Sequence, residues 1–185
     1  MEYRVLTYGH AALKAASEPV GRIDDGVRKL ARDMLAAMYR ANGVGLAAQQ
    51  VGRREAVCVI DTSPRDAEAS DRPPENPGVR MPIVMINPRV TRTDGQQRVE
   101  EGCLSFPEVY VTLTRAAEVT AAFTDLSGQE CTVTARGLLA RAIQHEMDHL
   151  HGVLLVDRMS AAQKIAVAGK LRRLRRQAAE EEAAA

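Results

Sequence analysis

Tryptophan is absent from the 185-residue chain, and aromatic residues make up only 3% of it. Any core is therefore built from Leu, Val, Ile, Met and Ala. Cysteine is scarce, with only Cys58, Cys103 and Cys131, and so small and odd a number excludes a disulfide framework. No run approaches the roughly 20 apolar residues that span a bilayer. The opening Met1-Glu2-Tyr3-Arg4-Val5-Leu6 lacks a charged-then-apolar leader. Net charge is nearly absent too: 25 Lys and Arg against 24 Asp and Glu leave +1. That balance excludes nucleic-acid binding over the whole surface but leaves room for a local basic patch. A cytoplasmic protein is expected. The rest is ordinary, 45% hydrophobic and 26% charged, enough for a core without covalent staples.

Asp24-Asp25 precede Val27, Leu30, Met34, Leu35 and Met38 at helical spacing, with Asp24 placed to cap. This helix is expected to end near Asn42-Gly43, on a left-handed glycine turn. Strand-like runs follow at 56–60, 83–87, 109–113, 117–123 and 130–134, rich in Val and Thr and broken by Gly, Pro or Asp. Short strands with few helices between them predict antiparallel sheet. Cys58 and Cys131 fall in two of these runs and read as buried thiols. Residues 61–82, rich in proline and charge, read as a surface excursion without a role. A second helix is predicted over 136–150, through Leu138, Leu139, Ala142, Ile143 and Met147, ending at Gly152. A third starts at Ser160, where Gln163 completes a capping box, and frays over the acidic and alanine tail 180–185. The expected division is a catalytic part, 1–159, and a C-terminal helix with its tail, 160–185.

Three segments carry chemistry. In His145-Glu146-Met147-Asp148-His149 the imidazoles lie about 40° apart around a helix, so both face one way and can grip one metal ion. Glu146 stands beside the open coordination position, where a carboxylate can take a proton from water. His151 is on the wrong face, about 240° round the helix from His145. A third ligand could be Asp157 downstream, or Cys103 in Glu100-Glu101-Gly102-Cys103-Leu104-Ser105, whose acidic neighbours are odd beside a structural thiol. In Gly43-Val44-Gly45-Leu46-Ala47-Ala48-Gln49-Gln50, glycines at alternate positions let backbone lie against a ligand. No phosphate-binding pattern follows a strand there.

Together, in this order, the three segments resemble the motifs of the peptide deformylases. Weaker matches run from Leu6-Thr7-Tyr8-Gly9 through Met85-Ile86-Asn87-Pro88 to Gly152-Val153-Leu154 and Asp157-Arg158. The resemblance implies an α+β fold with antiparallel sheets around the helix of the two histidines. It implies removal of the N-formyl group from the initiator formyl-methionine of nascent polypeptides. Carried onto this chain, it implies Cys103, His145 and His149 as metal ligands and Glu146 as general acid and base. Gln50 and the Leu104 backbone N–H would form the oxyanion site, and Gly45 would contact the substrate backbone. One divalent ion is implied, Fe(II) physiologically, with Zn, Ni or Co as substitutes. Gln49 departs from the pattern, standing where a small residue is usual, and 61–82 is longer than expected. The alternative is a zinc endopeptidase using His145, His149 and Asp157.

Leu138 and Ala142 lie about 20° and 60° from His145 around the helix and, with Val44, are expected to wall an apolar pocket for the methionine side chain. Arg141, about 40° to the other side, is expected at the cleft entrance, reaching solvent or a carboxylate; it touches the peptide or forms a plain salt bridge. The third helix carries Lys164, Lys170, Arg172, Arg173, Arg175 and Arg176 with no acid among them. This run fits either contact with ribosomal RNA phosphates or an amphipathic helix docked through Val167, Leu171 and Leu174.

Overall fold

The structure, a computed structural model, describes residues 2–63 and 75–184. Helix α1 (Asp25–Arg40) starts where Asp24 accepts from the Val27 N–H at 3.0 Å, and it buries Val27, Leu30, Met34 and Met38. The left-handed residue at its end is Asn42, with φ 54, not the expected Gly43. Asparagine tolerates this conformation better than other non-glycine residues.

Seven strands follow: β1 (Gly45–Ala47), β2 (Val57–Ile60), β3 (Ile83–Asp94), β4 (Gln97–Gly102), β5 (Tyr110–Arg115), β6 (Glu118–Thr124) and β7 (Glu130–Arg136). Five form one antiparallel sheet in the order β1-β2-β3-β6-β7, and β4 pairs with β5 in a separate ribbon. Strand β3 runs past the predicted end at 87 because a register shift between Ile86 and Arg89 absorbs Pro88, which cannot donate to a ladder. All four residues of β2 are buried: Val57 and Val59 face α1, while Cys58 and Ile60 face the opposite side.

That opposite side holds helix α2 (Gly137–Leu150), which packs Leu139, Ala142 and Ile143 against Met85, Val119 and Ala121. Cys131 is only half-buried, a correction to the expected core position: β7 is an edge strand. Residues 64–74 of the expected excursion lie outside the described residues. Its returning end has a role, contrary to expectation. Glu75 accepts from the Leu138 N–H at 3.2 Å, placing a carboxylate at the start of α2. Asn76 pairs with both the N–H and the carbonyl of Arg136.

After the short helix α3 (Leu155–Arg158), helix α4 (Ala161–Ala183) starts at the predicted Ser160 capping box. Leu171 and Leu174 share a core with Tyr8, Leu13, Phe106 and Val109. The expected fraying is corrected for the described residues: the helix continues to Ala183. Ala178 is fully buried, Arg4 donates to Glu181 at 2.6 Å, and His10 lies between Glu181 and Glu182. No helix among the described residues is long and apolar enough to cross a membrane.

Candidate metal centre

Helix α2 delivers both imidazoles to one face, with ring centroids 5.0 Å apart. Strand β4 ends at Gly102, and the turn beyond it brings Cys103 Sγ to 3.3 Å from His149 Nε2. Ligand atoms of Cys103, His145 and His149 all lie within 4.8 Å of one another. A thiolate and two imidazoles fill three positions of a tetrahedral ion and leave one open.

The local field also suits a cation. Burial opposes charge on His145, yet the charge of Cys103 and the carboxylate of Glu101 outweigh it and hold the ring well above its ordinary pKa. Burial, then the charge of His145, hold His149 well below its own, so its ring is neutral and keeps a lone pair to donate.

Glu146 is the second chemical feature. It is 3% exposed, and its Oε2 has no hydrogen-bond partner among the described residues. Gly45 lies directly over it; a Cβ there would overlap the carboxylate. Burial above all pushes the carboxyl up to about 7, with His145 pulling the other way. A group poised there can both take and return a proton near neutral pH.

Behind the histidines lies a buried ionic network whose members the motifs left without roles. Glu101 accepts from Arg115 Nε and Nη2 at 2.9 and 3.0 Å, and Arg115 Nη1 donates to Asp148 at 2.7 Å. Arg158 closes on Asp148 from outside, with Nε at 3.0 Å. Burial would raise the Glu101 carboxyl, but His145 and Arg115 outweigh it and hold it down at about 2. Glu101 Oε2 stands 3.4 Å from His145 Nδ1, which turns the other ring nitrogen toward the site. Sequence offered one hint, the acidic pair before Cys103; nothing local marks Arg115.

Gln50 has a fixed amide. Its Oε1 accepts from the Ala47 N–H at 2.9 Å, and its Nε2 donates to Ser105 Oγ at 3.1 Å, facing the Cys103 side. A cleft of about 610 Å³ opens over the site. Val44, Gly45, Gln50, Leu104, Leu138, Arg141 and Ala142 all line it, together with Cys103, His145 and Glu146. Of the expected site residues only His149 is not on the wall; it lies behind, 1% exposed. Glu100 and Tyr110 also line the cleft and are not singled out by the sequence: Glu100 reads only as a neighbour of Cys103, and Tyr110 falls within a plain strand-like run. Arg141 is half-buried on the cleft wall, and its Nε is buried without a hydrogen-bond partner among the described residues; of the two expected outcomes, the carboxylate partner is not seen.

Asp157 does not join the cluster. It accepts from Lys14 Nζ at 2.7 Å and from the Leu154 N–H at 2.9 Å. The endopeptidase alternative therefore lacks its third ligand.

An α+β fold that gathers one thiol and two imidazoles beside a buried carboxylate, at the floor of a cleft, defines a metal-dependent hydrolase. The family model described as polypeptide deformylase matches residues 2–165. The chain is 43% identical over 168 residues to peptide deformylase 2 of Gloeobacter violaceus, covering 90% of this chain and 83% of that protein. A peptide deformylase of Legionella pneumophila is 35% identical and superposes with a TM-score of 0.81, covering 97% of this chain and 98% of the other. One from Synechococcus elongatus, solved in complex with actinonin, is 40% identical with a TM-score of 0.79, covering 91% and 87%. The chain belongs to the polypeptide deformylase family, and its reaction is removal of the N-formyl group from nascent polypeptides.

Proposed function

We propose that Cys103, His145 and His149 hold one divalent ion and that Glu146, Gln50 and Leu104 perform deformylation beside it. When bound, the ion supplies Lewis acidity and makes water a nucleophile near neutral pH. Glu146 receives the proton of the attacking water and passes it to the leaving amine of the methionine. Gln50 Nε2 and the Leu104 N–H donate to the formyl oxygen as negative charge grows on it; one such donor is typically worth about 3 kcal/mol. Gly45 admits the substrate backbone, and Val44, Leu138 and Ala142 wall the methionine side chain. Arg141 stands at the entrance, where its unpaired guanidinium can meet residues further along the peptide.

A mixed sulfur and imidazole set accepts several first-row divalent ions. Fe(II) is proposed as the physiological ion, with Zn, Ni or Co as substitutes; an iron–thiolate centre is open to oxidation. The observation that carries the reading is the convergence of three ligand atoms within 4.8 Å beside a buried carboxyl raised to about 7. Anaerobic purification with metal analysis, followed by assay of formate release from a formyl-Met peptide, tests it. One ion per chain and formate release support it. Retention of the ion by Cys103→Ser would contradict the ligand set.

The ribosome surface is proposed as a docking partner, together with a cytoplasmic location. The basic run of α4 divides. Lys170 donates to the Glu108 carbonyl, Arg173 pairs with the Glu108 carboxylate and Arg175 bonds Tyr8. Lys164, Arg172 and Arg176 are exposed on the outer surface, eight and four residues apart, with Arg176 facing Glu180 at 3.7 Å. Contact with RNA phosphate through these side chains is salt-sensitive. Loss of low-salt co-sedimentation with ribosomes in Lys164→Glu/Arg172→Glu supports it; unchanged co-sedimentation rejects it.

A further inference from the structure

Gln50 and Leu104 come from segments far apart in the chain, yet donors to one oxygen need a fixed mutual position. We propose that residues Leu6 to Tyr8 are the strut that sets the spacing of these two donors, and that Arg175 of α4 latches the strut through Tyr8. This rests on the reading of Gln50 and Leu104 as the oxyanion donors.

The Leu6 N–H donates to the Gln50 carbonyl at 2.7 Å, and the Tyr8 N–H donates to the Ser105 carbonyl at 2.8 Å. Only Thr7 separates the two donors, so the distance between their N–H groups is limited by a single intervening residue. The segment therefore acts as a ruler between the two backbones that carry the donors. Gln50 Nε2 closes the same ring from the site side through Ser105 Oγ, at 3.1 Å.

Tyr8 carries the strut's side-chain anchor. It is 5% exposed and stacks on Phe106 with ring centroids 4.8 Å apart. The Phe106 N–H in turn donates to the Cys103 carbonyl at 2.8 Å, closing the turn that contains Leu104. From the other side, the Arg175 guanidinium lies 4.9 Å over the Tyr8 ring and bonds its hydroxyl. The next residue, Gly9, has φ 130, and a Cβ there would stand 2.6 Å from Ala178 Cβ, so this position is shaped for α4 to press close. The contacts are continuous from the C-terminal helix to the oxyanion site.

Oxyanion donors act on charge that exists only near the transition state, so moving them lowers kcat rather than substrate binding. A residue that only fills the core would instead reduce the amount of folded, metal-bearing enzyme, leaving kcat per metal site unchanged. The test uses the Ni(II)-loaded enzyme, a formyl-Met tripeptide and kcat expressed per bound metal. Tyr8→Leu, which keeps apolar bulk but loses stack and hydroxyl, is expected to lower kcat about tenfold with KM within about twofold. Tyr8→Phe, which keeps the stack, is expected to recover most of that loss. Arg175→Ala, an exposed change at the latch, is expected to lower kcat about two- to threefold at constant KM, and it carries the test if Tyr8→Leu does not fold. In a Gln50→Ala background, Tyr8→Leu is expected to cost less than in the wild type, because one of the donors it positions is gone. Wild-type kcat per metal in both Tyr8→Leu and Arg175→Ala, or an undiminished Tyr8→Leu loss in the Gln50→Ala background, overturns the strut. Wild-type kcat in Gln50→Ala alone refutes the donor assignment itself and the strut with it.

Discussion

Gln49 and Gln50 sit side by side in one buried turn, and only Gln50 has its amide paired. Gln49 is fully buried, and neither of its side-chain polar atoms has a partner among the described residues. An unpaired buried amide costs about 1–3 kcal/mol. Gln49→Met keeps the length and removes the polarity, so it is expected to stabilise by about 1–2 kcal/mol and raise Tm by about 2–8 °C. Formate release is expected to stay at the wild-type rate. A lowered Tm in a thermal melt would show that the amide contributes to stability in place.

Arg115 holds two carboxylates at once, Glu101 and Asp148, with its side chain 6% exposed. Arg115→Ala leaves both acids buried without their shared partner. The expected loss is about 3–5 kcal/mol in urea unfolding. Metal affinity by chelator competition is expected to fall about 10–100-fold, because Glu101 no longer holds His145 in place. Arg158→Ala, at the half-exposed end of the network, is expected to cost no more than about 1 kcal/mol. Equal effects of the two substitutions would contradict the network.

Leu138 is 37% exposed on the cleft wall, about two helical turns before His145. Leu138→Trp is expected to narrow the methionine pocket. KM for formyl-Met peptides is expected to rise about tenfold while metal content stays constant. An unchanged KM would place the pocket elsewhere.

Asp157 separates the metal site from stability. Burial would raise its carboxyl, but Lys14 and the Leu154 N–H outweigh that and hold it below the usual value. A carboxyl depressed by folding contributes stability above its unfolded pKa of about 3.9, and that contribution fades as pH falls through the folded value. Asp157→Asn is therefore expected to lower Tm by about 1–3 °C at pH 7, with the difference from wild type shrinking below about pH 4. Bound metal is expected to be unchanged. Loss of the ion would restore Asp157 as a ligand.

What could be read from sequence was whatever chemistry forces into short, fixed spacing. The His145–His149 pair, Glu146, the Cys103 turn and the Gly45–Gln50 segment are each contiguous, and α2 and the Gly turns leave them little choice of arrangement. Helix α1 was legible because Asp24 and the apolar stripe agree. Strand β1 was not, being three residues of Gly, Leu and Ala held by pairing with β2. Strand β4 was missed for its polar face, which the ribbon turns to solvent. The Glu101–Arg115–Asp148 network joins residues whose partners are set by the fold, so no local pattern marks Arg115. The Leu6 and Tyr8 contacts use backbone N–H groups, which every residue but proline carries. The tail of α4 was read as fraying because its stabilising bases, Arg4 and His10, lie at the other end of the chain.

The central claim is that three side chains hold the ion and Glu146 only moves protons. Metal stoichiometry and formate release, measured together on Glu146→Gln and Cys103→Ala, test it most directly. The account predicts that Glu146→Gln keeps about one ion per chain and loses at least about 100-fold in kcat, while Cys103→Ala loses most of its metal. Near-wild-type turnover in Glu146→Gln, or full metal content in Cys103→Ala, would contradict it.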